Sequence, residues 1–310
     1  MNARAERGHD GFCQNCRHLY TVRGSIPSEG AFPLDSMNPG LGATILDNRE
    51  VRLKATRYGL MLYHSKDAYV GRSFDLYGEF SEGEVALFRQ LVQPGSVVLD
   101  IGANIGSHTL FFASASAPGG SVIAFEPQRI IHQMLCANLA LNGITNVRAL
   151  LAGAGRERGI AQVPVLDYTA ANNFGGISLG MGGPSEAVDI IPVDALGLER
   201  CDLMKIDVEG MEGEVLTGAT STIGRFRPVL YVENDRREKS AALVEQLLSL
   251  DYELFWHLPL LFNAQNFFRQ PANVFEGIAS INVLGVPREA KRDVAGFRAV
   301  TGPQDWPLAT

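Results

Sequence analysis

Several short stretches of the sequence combine glycine with ionisable side chains at spacings that suit chemistry. The first runs Asp100-Ile101-Gly102-Ala103-Asn104-Ile105-Gly106 and continues through Ser107, His108 and Thr109. Glycines in such a loop let the backbone turn sharply and approach a ligand closely. The spacing is G-x-N-x-G, not the G-x-G-x-x-G that seats a pyrophosphate on a helix N-terminus. Asp100 would repel a pyrophosphate and suits a cationic ligand or the shaping of the loop. Twenty residues beyond Gly106 stands Glu126, where a carboxylate can accept both hydroxyls of a ribose. Any strand-to-helix turn can carry glycine and any strand can end in an acid, so neither signal decides alone. Together, in register, they describe a nucleoside without pyrophosphate and with a positive charge. S-adenosylmethionine, with its ribose, adenine, sulfonium and amino-acid tail, meets that description.

The second stretch is Lys205-Ile206-Asp207-Val208-Glu209-Gly210-Met211-Glu212. Strand alternation sends Lys205, Asp207 and Glu209 to one side until a helix begins near Gly210. Three ionisable groups this close perturb one another's protonation. Asp207 or Glu209 is the expected proton acceptor or substrate-orienting group, with Lys205 beside them. The plainer alternative is that Asp207 only binds the amino group of a methionine moiety and Glu209-Gly210 only starts the helix. Glu233-Asn234-Asp235 ends a later strand, where acceptor contacts are expected by position. His257 ends another; a lone histidine among apolar residues is more often packed than catalytic, and its strand-end place makes it a candidate. Asn263 to Phe268 mixes amides and aromatics and reads as a pocket wall. Phe174-Gly175-Gly176-Ile177-Ser178, after Asn172 and Asn173, reads as a lid over the cofactor or acceptor. Cys13 and Cys16 with His9 and His18 crowd into ten residues, whereas structural zinc needs four ligands from paired segments. No metal is expected.

These residues need a scaffold, and the rhythm of the chain supplies one. Residues 96–101 (SVVLDI), 121–125 (SVIAF), 147–152, 202–207 (DLMKID), 228–233 (PVLYVE), 252–257 and 278–284 read as buried strands. Residues 105–117, 128–142, 212–223 and 239–250 read as helices between them, the pattern of a doubly wound sheet. Ahead of them, runs between 43 and 72 read as a small β-rich lead-in. Residues 81–91 read as a helix with Ser81 and Glu84 as a capping box. Residues 153–200 carry no strong pattern. The expected division is a flexible tail at 1–30, a lead-in and capping helix at 31–95, a catalytic domain at 96–286 and a polar tail, frayed, at 287–310.

VVLDIGANIGSHTLFFA, VIAFEP, LMKIDVEGMEGEVLTGA and RPVLYVEND resemble the FkbM-type methyltransferases, a branch of the class I S-adenosylmethionine-dependent group. The resemblance covers roughly residues 75–285. It implies an α/β fold with a Rossmann-like seven-stranded sheet of order 3-2-1-4-5-7-6, the last strand antiparallel. It implies that Gly102, Asn104 and Gly106 line the methionine moiety and that Glu126 holds the ribose. Tyr77-Gly78-Glu79 resembles the family's lead-in motif and is expected to close over the cofactor. Asp100, His108, Thr109, Phe174, Gly175 and Asp207 complete the expected cofactor set. Family members mostly methylate oxygen, often on sugars or polyketide-type hydroxyls, and carboxyl and peptide acceptors stay open.

Composition bounds the alternatives. The 310 residues carry 27 Lys plus Arg against 34 Asp plus Glu, a net charge of −7. That argues against a nucleic-acid protein working by bulk charge. With 46% hydrophobic residues the chain is not mainly disordered. No run of 18 apolar residues or secretory h-region appears, and four cysteines make no disulfide framework, so a cytoplasmic protein off the membrane is expected. The expected partner is a small-molecule or glycan acceptor, with a dimer left open. A nicotinamide-dependent oxidoreductase is disfavoured by the missing third glycine and by Asp100. A cofactor-binding module without catalysis is disfavoured by the intact strand-end acids.

Overall fold

Aliphatic runs separated by glycine-rich turns assemble into a central mixed sheet with helices on both faces. The computed structural model describes residues 42–176, 183–290 and 294–308. It opens with a three-stranded antiparallel sheet of β1 (Thr44–Asp47), β2 (Val51–Thr56) and β3 (Gly59–His64). Then follow α1 (Val70–Tyr77), α2 (Glu82–Leu91), β4 (Val97–Ile101), α3 (Thr109–Ser116), β5 (Ser121–Phe125), α4 (Arg129–Leu141) and β6 (Val147–Leu150). β7 (Gly153–Ala154), β8 (Gly159–Pro164) and β9 (Ser185–Ile191) form a separate small sheet. The chain returns through β10 (Leu203–Ile206), α5 (Glu212–Thr217), α6 (Thr220–Phe226), β11 (Val229–Glu233) and α7 (Arg237–Ser249). It closes with β12 (Tyr252–His257), β13 (Asn282–Pro287) and β14 (Arg298–Ala299).

The main sheet has the order β14-β12-β13-β11-β10-β4-β5-β6. Counted from β4 as strand one, seven of its strands read 3-2-1-4-5-7-6, and β13 runs antiparallel to both neighbours, as expected. Crossovers reverse direction between β4 and β10, the place where doubly wound sheets open a crevice. There the register sets Asp100 opposite Lys205 and Ile101 opposite Ile206. Strand alternation divides the core. Leu99, Ile101, Met204 and Ile206 pack with Val215, Leu216, Val244 and Leu247, while Val98, Leu203 and Tyr231 pack with Phe88 and Phe112.

The structure departs from the sequence rhythm where backbone geometry intervenes. The helix expected from 105 begins only at Thr109, because Asn104 (φ 52°) and Gly106 (φ 92°) keep the loop turning. The helix expected over 212–223 divides into α5 and α6 around Gly218, where a Cβ would run into the Gly155 carbonyl oxygen. The run DAYVGRS is not a strand: Asp67 Oδ1 accepts the Tyr69 N–H at 2.8 Å and leads the chain into α1. The patternless 153–200 stretch contains β7, β8 and β9. The last core strand starts at Asn282, not 278. Nor are residues 294–308 frayed. β14 pairs with β12, Trp306 packs edge-on to Trp256, and Asp305 accepts from Trp256 Nε1 at 3.3 Å and Arg298 at 2.8 Å. The tail at 1–30, with His9, Cys13, Cys16 and His18, lies outside the described residues, as do Ile177 and Ser178. No described helix is long and apolar enough to cross a membrane.

Candidate active site

A cleft opens at the carboxyl ends of β4, β5, β10 and β11. It is open to solvent on one side, and its lining combines the loops after β4 and β5 with the ends of β10 and β11 and with α2.

One half of the cleft is built from backbone. Gly102 (φ 84°) is forced by packing, since a Cβ there would strike the Asp207 carbonyl oxygen at the end of β10. Asn104 takes the left-handed conformation that asparagine tolerates better than most residues. Its side-chain oxygen accepts the Ile105 N–H at 2.7 Å. Its own N–H donates to Glu126 Oε2 at 3.0 Å, and the Gln128 N–H donates to Oε1 at 2.8 Å. Glu126 is 4% exposed, and burial raises its carboxyl to about 7 against the pull of those two amides. The Phe174 carbonyl accepts from Gln128 Nε2 at 2.8 Å, while its ring packs on His64 and Tyr168. That anchors Asn173, Gly175 and Gly176 on the cleft wall. A Cβ on Gly175 would lie 2.5 Å from Asn104 Nδ2, so the two segments of the wall pack closely there.

The other half is built from charged side chains. Lys205, 2% exposed, lies 3.3 Å from both Asp100 and Asp207 and donates to the Gly102 carbonyl at 3.2 Å. Burial works against its ammonium, but Asp207, Asp100 and Glu84 outweigh that and hold its pKa above the ordinary value. Asp207, Glu209 and Glu233 bring carboxylate oxygens within 4.8 Å of one another. Glu209 (φ 56°) accepts from Arg236 at 2.7 Å; burial, then Asp207 and Asp235, push its carboxyl to about 7 against Arg236. Burial and the same acidic neighbours raise Glu233 well above the carboxylate range. Three carboxylates at this spacing could bridge a cation, and Lys205 and Arg236 already supply positive charge there.

The expected residues therefore divide. Gly102, Asn104, His108, Glu126, Gly175, Lys205, Asp207 and Glu209 share the cleft wall. Asp100 and Thr109 sit behind it: Thr109 Oγ1 donates to Asp100 Oδ2 at 2.7 Å, and Asp100 anchors Lys205. Gly106 does not line the cleft; a Cβ there would face Leu135 and Leu110 at 3.0 and 3.1 Å. Tyr77 and Glu79 do not close over it either. Tyr77 bonds Ala272 and Val274, and Glu79 bonds Arg57, Asn263 and the Phe267 N–H, so both tie the lead-in to the 263–275 segment. Residues Asn263 to Phe268 thus form a seam instead of a pocket wall; Phe268 lies against Gly78 and under Lys54. His257 is packed. It bonds the Tyr231 hydroxyl at 2.8 Å, meets Phe297 edge-on, and burial lowers it to about 4.

Sequence reasoning missed Glu84, Gln128 and Ser280, all on the wall. Glu84 had a sequence signal that pointed elsewhere. The capping box does not form: Ser81 is left-handed (φ 46°) and its side chain makes no cap bond. Glu84 turns into the cleft, with Oε2 3.3 Å from His108 Nε2 and Oε1 accepting from Asn282 at 3.1 Å.

The wall suits a polar, cationic nucleoside. Gln128 Oε1 and Glu233 Oε2 are buried and lack hydrogen-bond partners among the described residues, as expected of groups that a ligand satisfies. Comparison with known proteins agrees. Residues 100–254, half of the chain, match the methyltransferase FkbM domain. Methyltransferase sdnD of Sordaria araneosa is 31% identical over 154 residues, covering 39% of this chain and 59% of its own. Methyltransferase 1 of Beauveria bassiana is 28% identical over 145 residues, 40% of this chain and 58% of its own. The AMB antimetabolite synthetase AmbE of Pseudomonas aeruginosa is 29% identical over 191 residues, 49% of this chain but only 9% of that protein. The chain thus matches less than two thirds of each relative's length. Among solved structures, a methyltransferase FkbM from Methylobacillus flagellatus KT superposes with a TM-score of 0.44 at 19% identity, over 64% of this chain and 50% of that one. The chain belongs to the FkbM family of methyltransferases, whose methyl donor is S-adenosylmethionine.

Proposed function

We propose that this protein methylates a hydroxyl oxygen on a small molecule or glycan. The observation that carries the reading is the acidic half of the cleft: Glu84, Asp207, Glu209 and Glu233 on one wall, three of them with carboxyls raised by burial. A sulfonium donor supplies an activated methyl group, so the chain must align the acceptor and take up its proton. Raised carboxyls suit proton uptake near neutral pH. The same wall would repel an ionised carboxylate acceptor, which favours a hydroxyl. In the backbone-built half, Glu126 would accept the ribose hydroxyls through the lone pairs that the two amides leave. Lys205 would hold Asp207 in place for the amino group of the methionine moiety.

Calorimetric titration of folded, cofactor-free protein with S-adenosylmethionine is expected to show one site, with S-adenosylhomocysteine competing and NAD not. No binding would overturn the reading. A radiolabelled-methyl assay on paired hydroxyl and carboxylate acceptors then tests the acceptor class. Transfer to carboxylates alone would overturn the hydroxyl assignment.

A further inference from the structure

Glu84 is a buried acid without a cation of its own. It sits on α2 in the cleft wall, 5% exposed. Two separate segments meet on it. Asn282 Nδ2 at the start of β13 donates to one carboxylate oxygen at 3.1 Å, His108 Nε2 before α3 lies 3.3 Å from the other, and the Ser280 hydroxyl also donates. The titratable groups facing it are His108, Lys205 and Asp207 at the end of β10, and Tyr231 on β11. None of these is a dedicated counter-ion. Burial, then Lys205, holds His108 neutral. Lys205 is shared with Asp100 and Asp207 at 3.3 Å each. Burial and then Asp207 therefore raise the Glu84 carboxyl to about 7. A cation entering the cleft stabilises the ionised form of such a group.

We propose that Glu84 is the proton-exchanging residue of the transfer site, ionising when the sulfonium donor occupies the cleft and then accepting the proton of the acceptor hydroxyl. The assignment rests on the hydroxyl reading above. In the step, the acceptor O–H bond breaks and its proton passes to a Glu84 carboxylate oxygen. The oxygen's electron pair forms the new bond to the methyl carbon. The carbon–sulfur bond breaks with its pair left on sulfur, giving a methyl ether, a neutral thioether and a neutral carboxyl. His108, Ser280 and Asn282 position the carboxylate.

The test counts protons. The full chain is titrated at pH 7 with S-adenosylmethionine and with S-adenosylhomocysteine, each in phosphate and in Tris, whose ionisation heats differ. S-adenosylmethionine is expected to release about half a proton more from wild type than from Glu84→Gln. S-adenosylhomocysteine, which lacks the positive charge, should release equal amounts from both. Equal release with S-adenosylmethionine overturns the proposal, as does an excess that appears equally with both ligands. If Glu84→Gln does not fold, infrared difference spectra of wild type decide. A protonated-carboxyl band should disappear on adding S-adenosylmethionine and persist with S-adenosylhomocysteine, and a band unmoved by either overturns the proposal. On a hydroxyl acceptor, Glu84→Gln should lower kcat about 100-fold, and donor affinity about 10-fold through the ionisation it can no longer undergo. An unchanged kcat overturns the base assignment alone. Turnover confined to carboxylate acceptors overturns the hydroxyl reading, and absence of donor binding by wild type removes both.

Discussion

Glu126 and Glu209 end the same argument in opposite ways. Both line the cleft, and both have carboxyls raised to about 7. Glu126 is held by two backbone amides, from Asn104 and Gln128, and burial is what raises it. Glu209 is held by a side chain, Arg236, and the charges of Asp207 and Asp235 add to its burial. A backbone cradle is fixed by the fold and survives substitution around it. A side-chain cradle changes with any one of its members. The backbone-built half of the cleft is therefore the one that substitutions leave in place, and the half built from side chains is where they can retune chemistry without rebuilding the sheet.

The largest expected effect comes from breaking the link between the halves. Lys205→Met leaves Asp100, fully buried, beside no cation, and should cost about 3–5 kcal/mol of folding stability, measured by denaturant unfolding. A loss under about 1 kcal/mol would mean that Lys205 does not hold the two halves together. Next is Glu126→Gln, which should weaken S-adenosylmethionine binding about 10- to 100-fold by calorimetry, the worth of hydrogen bonds to a charged group. Its pH signature has a definite sign. Because folding raises this carboxyl from its ordinary value to about 7, ionisation opposes folding. Wild type should thus lose stability relative to Glu126→Gln as pH rises from about 4.5 to about 7, by about 3 kcal/mol at most, with no further change above. A flat difference would place the Glu126 carboxyl at its ordinary value. The smallest effect belongs to Arg236→Met. The Arg236–Glu209 pair is partly exposed, so stability should fall by about 1 kcal/mol or less and donor affinity should change less than about threefold. A tenfold loss of donor affinity would erase the distinction between the two halves.

What could be read in the chain before folding follows from where the information lies. β4 and β10 are buried on both faces, so their continuous apolar runs stand out, and their strand-end Gly102, Lys205 and Asp207 are placed by counting. Helix phase is less visible. Glu79 precedes α2 and Glu84 lies in its first turn, and which of them faces the cleft is set by the left-handed turn at Ser81, which no residue type announces. The sequence favours a capping box there, and tertiary contacts with His108 and Asn282 override it. His257 failed for a different reason. Its strand end is correct, but its ring is claimed by Tyr231 and by Phe297, and Phe297 lies in a segment whose polarity reads as tail. Gly106 shows the converse limit: its positive φ is the demand of a turn over Leu110 and Leu135, not of a ligand.

β14 has a consequence for association. In a sheet ordered 3-2-1-4-5-7-6, β12 would present its outer backbone donors and acceptors along one margin, an invitation for a strand from another molecule. Here Arg298 and Ala299 occupy the register opposite Trp256 and Phe255, and Asp305 with Trp306 fastens the strap down. At Phe255 and Trp256 that margin is occupied by β14, so the edge facing solvent there is a two-residue strand instead of the middle of β12.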